Sequence, residues 1–245
     1  MSGHSKWSTI KHKKGAADAK RGKIFTKIGK EIMVAVKQGG PAEESNAALR
    51  AAIIKARAAN MPKDNIDRAI KKASGENDGV VYTQLTYEGY VPGGVALIIE
   101  TLTDNKNRTA ADVRSTLSKN GGSLGTAGSS SYLFQRKGII SIQTPDFDKV
   151  FEIAGDAGAE DVIQDDDYVE VITDPADFEA VSNALSEAGF TPEEAEVKME
   201  PITRVTLDSE GTAKALRLIE KLEDLDDVQS VFNNLEIPDD FEGDI

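Results

Sequence analysis

The chain has 245 residues, of which 39% are hydrophobic and 29% charged, and its formal net charge is -13. These values are typical of a globular protein and exclude a disordered tail or an integral membrane protein. The absence of cysteine excludes disulfides, thiolate metal sites and thiol catalysis. His4 and His12 are the only histidines, which leaves little for His-based catalysis and makes a poor pair of metal ligands. We expect no metal site, no cofactor and no enzymatic activity. Without an apolar signal-like start or a run of about 20 apolar residues, a cytoplasmic protein that avoids membranes is expected.

The charge is strongly segregated along the chain. Residues 1–72 carry 17 Lys+Arg and 6 Asp+Glu, which gives a net charge of +11. Residues 146–245 carry 6 Lys+Arg and 30 Asp+Glu, which gives a net charge of -24. Residues 73–145 are neutral. A basic end joined to an acidic body predicts that the basic end binds a polyanion. The acidic part is expected to provide solubility and to project away from that polyanion.

The first third of the chain shows three helical patterns after an extended, basic arm at residues 1–14. They cover about Ala16–Gln38, Asn46–Asn60, and Pro62 to Gly75, with Gly39-Gly40-Pro41 as the first stop signal. In the first helix an apolar arc is formed by Ile24, Phe25, Ile28, Ile32, Ala35 and Val36. A separate arc carries Lys20, Lys23, Lys27 and Lys30. We therefore predict a three-helix bundle with one basic face.

The remainder alternates between strand and helix patterns. Residues 80–135 predict the order ββαβ, with Ser130–Gln135 as the last strand, and residues 202–234 predict βαβ. Between them, residues 136–201 predict βαββαβ, which is the ferredoxin-like order. The predicted fold class is α+β, with an N-terminal three-helix domain and two α/β sandwich domains, the ferredoxin-like one inserted in the middle one. The predicted domains are residues 1–78, residues 79–135 plus 202–245, and residues 136–201.

The arm and the first helix form the leading candidate site, for nucleic acid. Its cations can contact phosphates, and the ring of Trp7 can stack on a base. The predicted binding residues are His4, Lys6, Trp7, Lys11, His12, Lys13, Lys14, Lys20, Arg21, Lys23, Lys27 and Lys30. The alternative is a solubilising tail with Trp7 packed on the bundle. No single feature distinguishes DNA from RNA as the target, and irregular RNA fits the arm at least as well as a duplex. No helix presents Asn, Gln and Arg in a base-reading pattern, so sequence-specific reading of an operator is not expected.

A glycine-rich stretch at Gly121–Gly125 raises two further hypotheses. We expect a mobile loop that makes a secondary contact with nucleic acid through Arg108, Lys119, Gly121 and Gly122. The same stretch fits G-x-S-x-G, so a serine hydrolase using Ser123 is the alternative from another functional class. A nucleophile elbow needs a strand, a turn and then a helix, whereas here a helix precedes and a strand follows, so the hydrolase is disfavoured.

Several motifs occur in a fixed order within the first 135 residues. They are Gly3-His4-Ser5-Lys6-Trp7, Ile10-Lys11-His12-Lys13-Lys14-Gly15, Asp18-Ala19-Lys20-Arg21-Gly22-Lys23-Ile24-Phe25-Thr26-Lys27, Tyr87-Glu88-Gly89-Tyr90, Pro92-Gly93-Gly94, Thr103-Asp104-Asn105-Lys106-Asn107-Arg108-Thr109, and Gly121-Gly122 leading through Gly125 to Tyr132-Leu133-Phe134. With these motifs the chain closely resembles the YebC family of bacterial proteins. The acidic residues 136–245 match that family mainly in layout.

The resemblance implies a helical N-terminal domain followed by two α/β domains. It also implies a function, because family members are described as probable transcriptional regulators that bind DNA. Other members, including a mitochondrial relative, resemble translation factors that act on the ribosome and relieve stalling on proline-rich nascent chains. We therefore expect a non-enzymatic, nucleic-acid-binding regulator of gene expression, with DNA or ribosomal RNA of the large subunit as partner. The sequence leaves the oligomeric state open.

Overall fold

The N-terminal part of the protein is a three-helix bundle, as the apolar periodicity predicts. The computed structural model describes residues 18–75, 81–165, 167–238 and 241. The bundle contains α1 (Asp18–Gly39), a short 3-10 helix (Glu43–Ser45), α2 (Ala47–Ala58) and α3 (Lys63–Ser74). Its core is built mainly from Ile28, Ile32, Val36, Leu49, Ile53 and Ile66. These residues recur at helical spacing, so each helix buries one apolar stripe.

Asn46 fixes the reversal of the chain between α1 and α2. Its buried side chain donates to the carbonyl oxygens of Ala35 and Gly40, at 2.8 Å each. Its Oδ1 also accepts a 3.0 Å hydrogen bond from the backbone N–H of Leu49, which caps α2. One side chain therefore satisfies backbone groups at the end of one helix and at the start of the next.

A four-stranded antiparallel sheet follows, which we call the central sheet. Its strands are β1 (Thr83–Val91), β2 (Val95–Thr103), β3 (Ser123–Leu124) and β9 (Val228–Asn233), in the order β3-β1-β2-β9. Helices α4 (Lys106–Lys119) and α7 (Ser209–Glu223) pack on one face of it. The shared core includes Leu97, Ile99, Val113, Leu117, Leu218 and Ile219. Strands β8 (Val205–Thr206) and β10 (Leu235–Glu236) form a separate parallel pair.

Residues 134–201 form a second sheet, between α4 and α7 in the chain. Its elements are β4 (Phe134–Gln143), α5 (Phe147–Asp156), β5 (Asp161–Asp165), β6 (Tyr168–Thr173), α6 (Phe178–Glu187) and β7 (Glu194–Pro201). The strand order β5-β6-β4-β7 and the two helices on one face are those of a ferredoxin-like unit. The predicted fold class is therefore confirmed, whereas the exact domain limits stay a prediction.

The boundary of this ferredoxin-like unit differs from the sequence prediction. The sequence predicts a strand at Ser130–Gln135 that is separate from the strands of residues 136–201, but β4 is one continuous strand of ten residues that spans both regions. Gly138 lies within this strand. A side chain would not fit at this position, because an added Cβ would lie 2.3 Å from Thr173 Oγ1 and 2.5 Å from Phe178 Cδ2. This glycine thus permits close packing of α6 instead of breaking the strand. The remaining strand of the central sheet is the two-residue β3.

The face of the central sheet opposite its helices contacts the ferredoxin-like unit. Ala96, Ile98 and Phe232 pack there against Phe134, with the partly buried Met199 of β7 beside them. This small apolar cluster joins the two sheets. Among the described helices, none is long and apolar enough to cross a membrane.

Candidate nucleic-acid interface

The predicted binding residues fall into two groups. The arm residues His4, Lys6, Trp7, Lys11, His12, Lys13 and Lys14 lie outside the described residues. The backbone of Lys20 belongs to α1, but its side chain is also outside them. For these residues binding remains a prediction. The structure describes the other four, Arg21, Lys23, Lys27 and Lys30, in full.

The first described turns of α1 are exposed to solvent. Arg21, Gly22, Lys23 and Ile24 are all exposed, and the buried stripe of the helix begins only at Ile28. The prediction that Ile24 belongs to the packed arc is therefore wrong, since 40% of its surface is accessible. This end of α1 projects its side chains into solvent, directly after the basic arm.

Further along α1, three lysines face another part of the chain. We call Lys23, Lys27 and Lys30 the lysine row, and residues 223–227, with the sequence Glu-Asp-Leu-Asp-Asp, the acidic segment. The acidic segment follows the end of α7 and leads into β9. The lysine row contacts the acidic segment, although 196 to 201 residues of chain separate the bonded partners.

The two outer lysines of the row bind mainly backbone oxygens. Lys23 Nζ lies 3.2 Å from the carbonyl oxygen of Asp224 and 3.5 Å from its carboxylate Oδ1. Lys27 Nζ donates to the carbonyl oxygen of Glu223, the last residue of α7. Carbonyls at the end of a helix lack intrahelical partners and carry the negative end of the helix dipole. Lysine ammonium groups therefore stabilise the C-terminus of α7.

The innermost lysine of the row is held much more firmly. Lys30 Nζ donates to the carbonyl oxygen of Asp226 at 2.8 Å and to the carboxylate Oδ1 of Asp227 at 2.9 Å. Only 12% of the Lys30 side chain and 7% of the Asp227 side chain are exposed. The acidic segment thus contacts the basic end of the protein directly, a contact that the sequence does not predict.

Asp227 connects the bundle to the central sheet. Its second oxygen, Oδ2, accepts hydrogen bonds from Arg108 Nη2 at 2.7 Å, Thr109 Oγ1 at 2.9 Å and Thr103 Oγ1 at 3.1 Å. Burial alone would raise the pKa of Asp227, but the hydrogen bonds from Lys30, Arg108 and Thr109 outweigh it and lower the pKa to about 2. The carboxylate is thus charged at neutral pH and binds groups from both units.

Arg108, predicted as a secondary contact for nucleic acid, has protein partners. Its guanidinium pairs with Asp227 at 2.7 Å and with Asp104 at 2.8 Å, and the hydrogen bonds to Asp227 and then Asp104 raise its pKa. Its position follows from the N-cap of α4, where Asn105 Oδ1 accepts from the N–H of Arg108 at 3.1 Å. The side chain remains 47% exposed, so one side of it still faces solvent.

The glycine-rich stretch Gly121–Gly125 continues into a loop that reaches β4, and Glu88 anchors the second half of this loop. The carboxylate of Glu88 accepts from the backbone N–H groups of Gly128 at 2.7 Å, Ser130 at 2.5 Å and Ser131 at 2.9 Å. Burial alone would raise the pKa of Glu88, but these hydrogen bonds lower it. These hydrogen bonds hold residues 128–131, which follow the glycine-rich stretch, and the mobility of Gly121–Gly125 stays a prediction.

The loop glycines approach protein backbone closely. A Cβ on Gly122 would lie 2.8 Å from the carbonyl oxygen of Tyr90, so the chain needs glycine there to pack against β1. Gly121 has a positive φ of 81° after the last turn of α4, in which Lys119 is exposed. Gly121 and Gly122 therefore serve the packing of the chain. Of the predicted secondary contacts, the exposed Lys119 and the exposed side of Arg108 remain available to a nucleic acid.

Ser123 has the surroundings of a surface strand. It belongs to β3, which follows α4 and pairs with β1 through Tyr90. The strand, turn and helix of a nucleophile elbow are thus absent around it. The local structure gives no support to the hydrolase alternative.

A cleft of about 880 Å³ lies where α1, α4 and the acidic segment meet. Its walls include Lys23, Thr26, Tyr82, Arg108, Asp112 and Asp226. Within the ranges that the structure describes, no group of three or more His, Asp or Glu side chains is arranged to hold a metal ion. The cleft leaves the exposed side of Lys23 and Arg108 open to solvent.

The sequence and the fold are similar to those of known proteins. Residues 5–76 match the model of the TACO1/YebC protein N-terminal domain, and residues 82–235 match that of the TACO1/YebC second and third domain. A probable transcriptional regulatory protein of Syntrophotalea carbinolica is 58% identical over 240 residues, covering 98% of this chain and 97% of its own. A protein from Treponema denticola with the same description is 57% identical, and the match covers 99% of this chain and 99% of that protein.

A solved structure shows the same fold. The crystal structure of a conserved hypothetical protein from Aquifex aeolicus superposes with a TM-score of 0.83 at 43% identity, covering 93% of this chain and 95% of that one. The two family models together span nearly all of the described residues. The predicted resemblance is thus confirmed, and the chain belongs to the TACO1/YebC family.

Proposed function

We propose that this protein is a non-enzymatic regulator of gene expression that binds nucleic acid through its basic N-terminal end. One observation carries the proposal: the excess of cations lies in residues 1–72 and continues onto solvent-exposed turns of α1. Arg21 and Lys23 extend the charge of the arm onto a rigid helix. The description of the relatives as probable transcriptional regulatory proteins supports the same class of function.

In this proposal the arm makes most of the contacts. Its cations neutralise phosphates, which makes binding dependent on salt, and the indole of Trp7 stacks on an unpaired base. The exposed turns of α1 then fix where the arm leaves the bundle. Lys30 is removed from the proposed contact set, because its ammonium group is largely buried against Asp226 and Asp227.

The charge distribution favours RNA over a long DNA duplex. Residues 146–245 have a net charge of -24, so a duplex laid across the molecule would meet repulsion. A single cationic end fits insertion into a folded RNA, whose loops expose bases for stacking. We therefore place ribosomal RNA of the large subunit first and promoter DNA second.

Crosslinking in cells, followed by sequencing of both bound DNA and bound RNA, tests the target. The proposal predicts that ribosomal RNA is enriched over an untagged control and that the enrichment disappears when residues 1–14 are deleted. Enrichment of defined promoters without RNA would assign the protein to DNA. Recovery of neither nucleic acid would overturn the proposed function.

A further inference from the structure

The contact between the lysine row and the acidic segment suggests how nucleic-acid binding is limited. We propose that the acidic segment competes with nucleic acid for Lys23 and Lys27, while Lys30 stays bound to Asp227. The inference rests on the proposed function. It adds to that function a second part of the site, which the acidic segment contacts in this structure and for which the ligand is the phosphate backbone of a nucleic acid.

The acidic segment offers the lysines what a phosphate backbone would offer. It carries four carboxylates in five residues, and its first carbonyls belong to the C-terminal end of α7. Negatively polarised oxygens are therefore closely spaced along a short stretch of chain. A lysine ammonium group binds phosphate as a compact point charge, without the fixed fork geometry of arginine. The same ammonium can thus exchange a carbonyl or carboxylate oxygen for a phosphate oxygen.

The exposure of the contacts decides which of them can exchange. The Lys23 and Asp224 side chains are 45% and 47% exposed, and exposed ion pairs are weak and screened by salt. Lys27 is intermediate in exposure. The Lys30–Asp227 pair is buried and supported by Arg108, Thr109 and Thr103, so breaking it would leave buried charges without partners.

The position of the exchangeable lysines also fits. Lys23 lies next to the exposed Arg21 and nearest the arm, and it borders the open cleft. A nucleic acid held by the arm would therefore reach Lys23 first. Lys27 follows about one turn later, since an α-helix has about 3.6 residues per turn. Displacement would stop at Lys30, where the buried network begins.

Neutralising the acidic segment tests the competition. The test variant is Glu223→Gln/Asp224→Asn/Asp226→Asn, which spares Asp227. The control is Asp148→Asn/Glu152→Gln/Asp156→Asn, which removes three exposed carboxylates from α5 and changes the net charge equally. Binding of a fluorescein-labelled 20-nucleotide single-stranded RNA is followed by anisotropy at several salt concentrations. Thermal melts of both variants establish that each is folded.

We expect the test variant to bind at least about fivefold more tightly than the control at low salt. Its log–log salt slope should be steeper by about 0.7 to 1.4, since one or both lysines, now held only by the carbonyl oxygens of Glu223 and Asp224, would neutralise a further phosphate at about 0.7 each on a single strand. Adding Lys23→Gln and Lys27→Gln to the test variant should abolish the gain, because these lysines are the groups released.

The outcomes separate the inference from the function on which it rests. If the wild type binds RNA but the test variant binds no more tightly than the control, the competition is refuted and the proposed function stands. A gain that persists without Lys23 and Lys27 also refutes it. If the folded wild type binds neither this RNA nor a DNA duplex of equal length, the proposed function and the inference both fail.

Discussion

Lys30 and Asp227 form a buried ion pair of 2.9 Å that joins the helical bundle to the central sheet. The pair is also the inner limit of the exposed basic surface of α1. Outward from it, Lys27 and Lys23 contact the end of α7 with increasing exposure, and Arg21 faces solvent. On α1, the part that joins the bundle to the central sheet and the part proposed to bind nucleic acid therefore meet at Lys30.

Replacing Asp227 should destabilise the protein strongly. In Asp227→Ala the largely buried Lys30 loses its carboxylate partner, so we expect a loss of about 3–5 kcal/mol in the free energy of unfolding. Asp226→Asn is the matched control, because its exposed side chain should change stability by less than about 0.5 kcal/mol. Urea unfolding of both variants measures the difference. Equal stability of the two would show that the Asp227 network contributes nothing.

The same carboxylate should make stability fall in acid. The pKa of Asp227 is about 2 in the folded protein against 3.8 as the ordinary value, so its contribution is complete above about pH 4. It should decrease as the pH falls from about 4 to 2, by about 2 kcal/mol in total. Subtracting the curve of Asp227→Asn from that of the wild type isolates this effect. A difference that does not change with pH would contradict the assigned pKa.

Glu88 should determine the order of the glycine-rich loop. Glu88→Ala leaves the N–H groups of Gly128, Ser130 and Ser131 without their acceptor, which should cost about 2–4 kcal/mol. Those three amides should exchange hydrogen much faster than in the wild type, as measured by NMR. Thr86→Ala, at an exposed position on the same strand, serves as control and should leave them protected. Unchanged protection in Glu88→Ala would show that the loop is ordered by other contacts.

Glu200 should act on stability in the opposite pH direction. Burial raises its pKa to about 7, whereas an unfolded glutamate has a pKa near 4.5. A raised pKa means that ionising Glu200 costs stability between about pH 4.5 and 7. The advantage of Glu200→Gln over the wild type should therefore grow over this range, to about 1–3 kcal/mol at pH 8. Chemical denaturation at pH 5 and pH 8 measures it, and a gain that is equal at both values would contradict the assigned pKa.

Isolated fragments should show which parts fold alone. Residues 1–75 contain the whole bundle core, and residues 134–201 contain a complete ferredoxin-like sheet. Residues 80–135 lack α7 and β9, which supply Leu218, Ile219 and Val231 to the core of the central sheet. The first two fragments should give dispersed amide spectra and the third should not. A dispersed spectrum of residues 80–135 would contradict a discontinuous central domain.

Periodicity accounts for the parts of the fold that the sequence predicts. The apolar stripes of the bundle and the βαββαβ order are local patterns, so they can be recognised without knowing the tertiary contacts. Two errors arose where packing decides the local structure. The sequence separates Ser130–Gln135 from residues 136–201, but β4 continues through Gly138, which permits a close contact with Thr173 and Phe178. Ile24 has helical spacing but lies beyond the bundle core.

The candidate site was predictable from charge, but its internal contacts were not. The cations of α1 and the acidic composition of residues 146–245 are visible in the sequence. Nothing local indicates that the segment at 223–227 folds back on Lys23, Lys27 and Lys30, because that contact depends on how α7 packs on the central sheet. The role of Asp227 was missed for the same reason, since its partners are spread over three elements.

Co-sedimentation with ribosomes tests the proposed binding by the basic end most directly. The wild type should pellet with ribosomes or their large subunit at moderate salt. A Lys11/Lys13/Lys14/Lys20→Glu variant should remain in the supernatant while keeping its helix content, because the sequence predicts the first three lysines before the helix and Lys20 off its apolar arc. If the wild type stays in the supernatant and binds a defined promoter fragment far more tightly than random duplex, the ribosomal proposal is contradicted and DNA is the target.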